Sequence, residues 1–139
     1  MNSIQYLEKE KKDHAKIFYE ILELEKVIDK NDLDYNNLVD IFYKILDLLS
    51  QHKKHEESLL NEINKGNNEA NISKDMILID PRRISGHIRV IIGAIRSKDK
   101  DHIKIALDND GRMFISKVKE QIFKEEMILD NLLFLHLVN

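Results

Sequence analysis

The sequence contains no cysteine, which excludes disulfide bonds and metal sites built on thiolates. It contains one proline and four glycines, so few residues interrupt a helix. No run of about 18 apolar residues is present, and we therefore expect no membrane span. The first residues, MNSIQYLEKEKKDH, lack the apolar segment of a secretion signal, so we predict a cytoplasmic protein.

The remaining composition is that of a helical globular protein. The 139 residues are enough for one domain, which we place over 1–139, as a monomer or homodimer. Hydrophobic residues make up 42% and charged residues 34%, with Lys, Glu, Ile and Leu prominent. The net charge of -3 comes from 22 basic and 25 acidic residues, a balance that does not indicate a nucleic-acid partner.

Apolar residues recur at steps of three and four along four stretches, which is the period of one helix face. Short first and third connections favour an all-α fold, an antiparallel up-down four-helix bundle. We expect a turn or a helix irregularity near Asp110 in the last stretch, and a cap from Asp32 or Asp34 before the second. The predicted helices cover Ser3–Ile28, Tyr35–Lys65, Pro81–Arg96 and most of His102–Leu137.

Polar side chains interrupt each apolar face at one level. On the first helix we place Leu7, Lys11 and His14 on the apolar face. On the second helix the steps of three and four residues continue without a break through the polar residues His52 and Glu56. Direct packing of four antiparallel helices can bring such positions into one layer. The candidate layer consists of His14, His52, Glu56, His87, Gln121 and Glu125.

The two halves of the chain resemble each other at these positions. His14 and His87 are each followed by any residue, a basic residue and a branched aliphatic residue. His52 and Gln121 each precede a Glu-Glu pair by four residues. Two similar helix hairpins that face each other would bring both sets together.

Histidine and glutamate four residues apart lie on one side of a helix, separated by about 6 Å along its axis. An ionised carboxylate in a protein interior is costly unless a cation or hydrogen-bond donor lies beside it. Imidazole with carboxylate suits iron, manganese or zinc. The pattern therefore predicts a metal site within the helical core.

With a histidine on the first and third helices and His/Gln-x-x-x-Glu on the second and fourth, the chain resembles the hemerythrin-like (HHE cation-binding) family over nearly its whole length. The resemblance implies a four-helix bundle with a non-haem di-iron centre. Members of the family carry or sense oxygen, respond to nitric oxide or iron, or help to repair iron–sulfur clusters. By the same resemblance His14 and His52 would bind one iron, His87 the other, and Glu56 and Glu125 would bridge them.

Two positions depart from the family pattern. Gln121 stands where the family has a histidine on the fourth helix. The second histidine that oxygen carriers have on the third helix is also missing, because Arg83 and Ile91 occupy the positions four residues from His87. We therefore expect a normal first metal position and a second position that is weak, open or empty.

Two other interpretations stay open. The chain could be a metal-free helical interaction protein that has kept the bundle and lost the site. It could also be an enzyme, such as a peroxidase or a cluster-repair factor, although the sequence offers no dedicated general acid or reactive cysteine. His55, His102 and His136 lie away from the polar layer, and we assign them no metal.

Overall fold

The structure is a computed structural model that describes residues 3–30, 34–66 and 81–138. Within these ranges the chain forms helices and no strand, which confirms the predicted all-α class. The antiparallel up-down order stays a prediction. The helices are α1 (Ser3–Asp29), α2 (Tyr35–Gly66), α3 (Pro81–Ser97), α4 (Lys100–Ala106), a π-helical segment (Leu107–Gly111) and α5 (Arg112–Val138).

Aspartate side chains cap two of these helices. Asp34 Oδ1 accepts a hydrogen bond from the backbone N–H of Asn37 at 3.1 Å, at the start of α2. Asp99 does the same for the backbone N–H groups of Asp101 and His102 before α4. Asp34 therefore fills the role predicted for it, whereas Asp32 lies outside the described residues.

The irregularity expected near Asp110 is a single π-helical turn. It lies between α4 and α5, so the last helical stretch continues from Lys100 to Val138 with one wide turn in it. Gly111 is buried at the end of this turn, and a Cβ atom there would lie 3.4 Å from side-chain atoms of Ile28 and Leu107. These are ordinary van der Waals distances, so α1 packs closely on the turn but does not by itself require glycine there.

One apolar core joins the long helices. α1 packs against α2 and α5, and α3 packs against α5 and the π-helical segment. At its centre the rings of Phe42 and Phe114 meet edge to face, with centroids 5.8 Å apart. The fully buried aliphatic residues around them include Ile17, Ile21, Leu24, Leu38, Ile45, Ile91 and Val118. No helix in the described part of the chain has the length and apolar character that crossing a membrane requires.

We expect Phe114→Ala to lower the free energy of unfolding by about 3–5 kcal/mol, because it removes a fully buried ring from a packed core. Urea denaturation followed by circular dichroism measures the change. Phe134→Ala is the matched control, since 65% of that side chain is exposed and its loss should cost far less. Equal losses in the two variants would contradict the described core.

Candidate metal centre

Four buried side chains from α1 and α2 converge on one point. Glu10 and His14 come from α1, and His52 and Glu56 come from α2, each pair four residues apart on its helix. One ligand atom from each side chain lies within 4.8 Å of the others. No residue of the four is more than 2% exposed, so these groups belong to the protein interior.

The two imidazoles turn the same nitrogen toward the centre. His14 Nε2 lies 3.0 Å from His52 Nε2, with the rings edge to face. His52 Nε2 also lies 3.3 Å from Glu10 Oε2 and contacts Glu56 Oε1. Two imidazole nitrogens and two carboxylates that converge in this way form a donor set for a divalent cation.

A third helix adds a fifth donor. Glu125 on α5 places Oε1 at 3.5 Å from His52 Nε2 and at 3.8 Å from His14 Nε2. Gln121, one turn earlier on α5, is buried as well. The structure therefore brings together four of the six residues predicted for the site, namely His14, His52, Glu56 and Glu125.

The carboxylates of this centre lack the partners that buried carboxylates usually have. Both oxygens of Glu56 and of Glu125, and Oε1 of Glu10, are buried and accept no hydrogen bond of normal geometry among the described residues. Buried polar atoms are nearly always hydrogen-bonded, and exceptions commonly mark a missing ion or water. A cation at the centre would satisfy these oxygens, so the donor set fits a bound metal.

Other carboxylates lie on the outer sides of the two imidazoles. His14 Nδ1 lies 2.5 Å from Glu126 Oε1, within hydrogen-bond distance, whereas His52 Nδ1 lies 3.6 Å from Asp13 Oδ2, beyond that distance. A carboxylate on the outer ring nitrogen fixes the orientation of a metal-binding histidine and leaves the inner nitrogen free to coordinate. Asp13 Oδ2 also lies 2.6 Å from Nδ1 of His55, a histidine outside the polar layer. His55 is therefore linked to the centre through Asp13 and does not itself converge on it.

Burial and crowding change the acidities at the centre. Burial raises the pKa of Glu10 to about 8 and that of Glu125 to about 7. Burial also acts to lower the histidine pKa values, but the neighbouring carboxylates outweigh it and raise the pKa of His14 to about 9 and that of His52 to about 12. In the metal-free protein, protons retained on these side chains therefore reduce the net negative charge of the centre.

His87 has different neighbours from the four converging residues. Its Nδ1 lies 2.9 Å from Asp110 Oδ1, and Lys117 Nζ donates to its Nε2 at 3.0 Å. Both ring nitrogens therefore have protein partners, at the π-helical segment and on α5. The role of His87 and Gln121 as ligands of a second metal stays a prediction.

Glu10 is the member of the centre that the periodicity did not predict. The apolar period placed Lys11, four residues after Leu7, on the inward face of α1, and this placement is wrong. The lysine side chain is 37% exposed and pairs with Glu126 and Asp130, whereas Glu10 is buried. A step of three from Leu7 reaches Glu10, and its spacing of four from His14 repeats that of His52 and Glu56 in reverse order.

In comparisons with protein-family models, curated proteins and solved structures, nothing matches this chain. The likeness to hemerythrin-like proteins therefore depends on the residues quoted above. The geometry independently supports a metal site, because it brings the ligand types together in the interior.

We expect the metal-free protein to lose stability as the pH rises from about 6 to 9. A pKa raised by folding contributes stability below its unfolded value and loses it as the pH rises through the folded value, and this applies to Glu10, Glu125 and His14. The lowered pKa of Glu56 acts below this range. The free energy of unfolding in urea with a chelator, measured at both ends of the range, tests this.

Glu125→Gln should reduce that loss, because a neutral amide replaces one of the crowded carboxylates. Glu8→Gln is the control, since Glu8 is an exposed glutamate on α1. A metal-free protein whose stability rises over the same pH range would contradict the described crowding.

Proposed function

We propose that this chain is a non-haem metal-binding protein of the hemerythrin type. In this proposal Glu10, His14, His52, Glu56 and Glu125 hold a divalent cation, iron in the first instance, within an up-down helical bundle. The observation that carries the proposal is the convergence of two imidazole Nε2 atoms with buried carboxylate oxygens, most of which accept no hydrogen bond of normal geometry among the described residues. A cation that binds there would lower the cost of burying these groups.

The donor types support iron, manganese or zinc. Two imidazoles with carboxylates are borderline-to-hard ligands, and the absence of cysteine leaves no soft ligand except methionine. Calcium and magnesium prefer a shell of oxygen atoms, so the paired histidines disfavour them. Iron adds the capacity to bind a diatomic molecule, which is the proposed activity: binding or sensing of oxygen or nitric oxide.

The contacts favour one primary metal position. Glu10, His14, His52 and Glu56 surround it, and Glu125 reaches it from α5. A second cation at His87 would have to compete with the ammonium group of Lys117 for the same ring nitrogen. We therefore propose that the first position fills before any second one.

The residues of the chain would hold and shield the cation. Glu126 orients the His14 ring from outside, and all the ligand side chains come from buried residues. Metal entry must displace protons from the imidazoles, so uptake should weaken as the pH falls.

We expect protein made in iron-supplemented cells to contain about one equivalent of metal, and His52→Ala to reduce it to background, because that side chain contacts every other member of the centre. Elemental analysis of purified protein gives the number. His102→Ala is the control, an exposed histidine on α4 that should leave the metal content unchanged.

Bound metal should also stabilise the fold, by about 2.7 kcal/mol when free metal is 100 times its dissociation constant. Protein without metal, whose unfolding curve does not shift on addition of Fe(II), Mn(II) or Zn(II), would overturn the proposal. That result would favour the metal-free interaction protein instead.

If the iron form binds a diatomic ligand, nitric oxide should change its absorption spectrum under anaerobic conditions. A titration of Fe(II)-loaded protein with nitric oxide, followed by absorption and electron paramagnetic resonance, measures the binding. The Zn(II)-loaded protein is the control, because zinc has no redox chemistry and should give no such change. An iron form whose spectra do not respond would restrict the function to metal binding.

A further inference from the structure

A cavity of about 280 Å³ lies between α2 and α3, directly beside the metal centre. Its walls are aliphatic and come from both helices: Leu46 and Leu49 on α2, and Ile84 and Ile88 on α3. Apolar walls around a small space are typical of sites that bind small organic molecules. The cavity is far larger than the roughly 30 Å³ that one water molecule occupies in the liquid.

The inner end of this cavity is formed by the metal centre itself. His52 and Glu56 line the cavity and also belong to the converging donor set. Glu56 is only 1% exposed, and neither of its oxygens accepts a normal hydrogen bond among the described residues. A molecule in the cavity would therefore lie beside the place where we propose the cation.

The solvent-exposed part of the cavity lining carries a positive charge and hydroxyl groups. Lys53 is exposed, and no carboxylate in the described part of the chain forms an ion pair with it. Ser50, also exposed, and the partly buried Ser85 add two hydroxyl groups. This combination can hold a small anionic group where it remains in contact with water.

We propose that the cavity is a binding site for a small monocarboxylate with an aliphatic body. The carboxylate pairs with Lys53 and the serine hydroxyls at the exposed side, and the aliphatic body lies among Leu49, Ile84 and Ile88. The opposite orientation would take the carboxylate out of water and bury it beside Glu56, which is only 1% exposed, and burial of a charge is costly. The aliphatic end consequently points toward the metal centre.

The walls supply most of the affinity in this arrangement, and Lys53 selects the head group. Each methylene group that leaves water contributes about 0.8 kcal/mol, so a chain of four or five carbons gains more from burial than from one exposed ion pair. A molecule of this length is within the volume of the cavity, which is at the small end of the range for ligand sites.

Hexanoate is the probe. Hexanol and hexylamine are the comparison ligands, because they have the same chain length and differ in the head group. We expect hexanoate to bind the folded protein, whose metal content has been measured, in isothermal titration calorimetry. Hexylamine should bind up to about fivefold more weakly, the upper limit of what one exposed ion pair provides. Lys53→Gln should weaken hexanoate by a similar factor. Lys54→Gln is the control, because that exposed lysine does not line the cavity.

Ile88→Phe should fill the cavity and abolish hexanoate binding, and its unfolding curve shows whether the fold is intact. Absence of hexanoate binding in the folded parent protein, or equal binding by Lys53→Gln and the parent, would overturn the inference. The inference rests on the proposed function only in that a metal is proposed at the inner end of the cavity, beside His52 and Glu56. Hexanoate binding by a protein that takes up no metal would therefore reject the metal function and retain the cavity site.

Discussion

The position of three buried glutamates around two buried histidines is the constraint on which the functional part of this molecule depends. Glu10, Glu56 and Glu125 have few partners other than the imidazoles. Replacing such a group by apolar residues of similar volume is often neutral or stabilising. Burying this cluster of glutamates and histidines lowers the stability of the metal-free protein. Such a loss is expected if the cluster serves to bind a cation, since function and stability commonly conflict at such sites.

The helices themselves satisfy ordinary physical rules around this constraint. The apolar core holds α1 and α2 together and keeps α5 against α1. Because packed cores tolerate little movement, the inward side chains of the polar layer are held in place by the packing around them. The outer carboxylate of Glu126 adds an orientation of the His14 ring that the core alone does not provide.

Periodicity predicted the helices and most of the site, because burial repeats with the helix turn. His14, His52, Glu56 and Glu125 were found in this way, and all four are buried and close together. Periodicity failed at Glu10, since steps of three and four from Leu7 are equally regular and differ by one residue. It also could not predict that Asp110 and Lys117 would contact His87, because such contacts depend on how separate helices pack.

The metal donors that converge come from α1, α2 and α5, whereas α3 contributes only walls to the cavity beside them. The cavity thus shares α2 with the converging donors, whereas α3 belongs to the cavity alone. Substitutions along the inner face of α3 can alter the size and polarity of the cavity without touching a converging donor. Along α3, therefore, the cavity can change while the buried cluster of histidines and glutamates stays as it is.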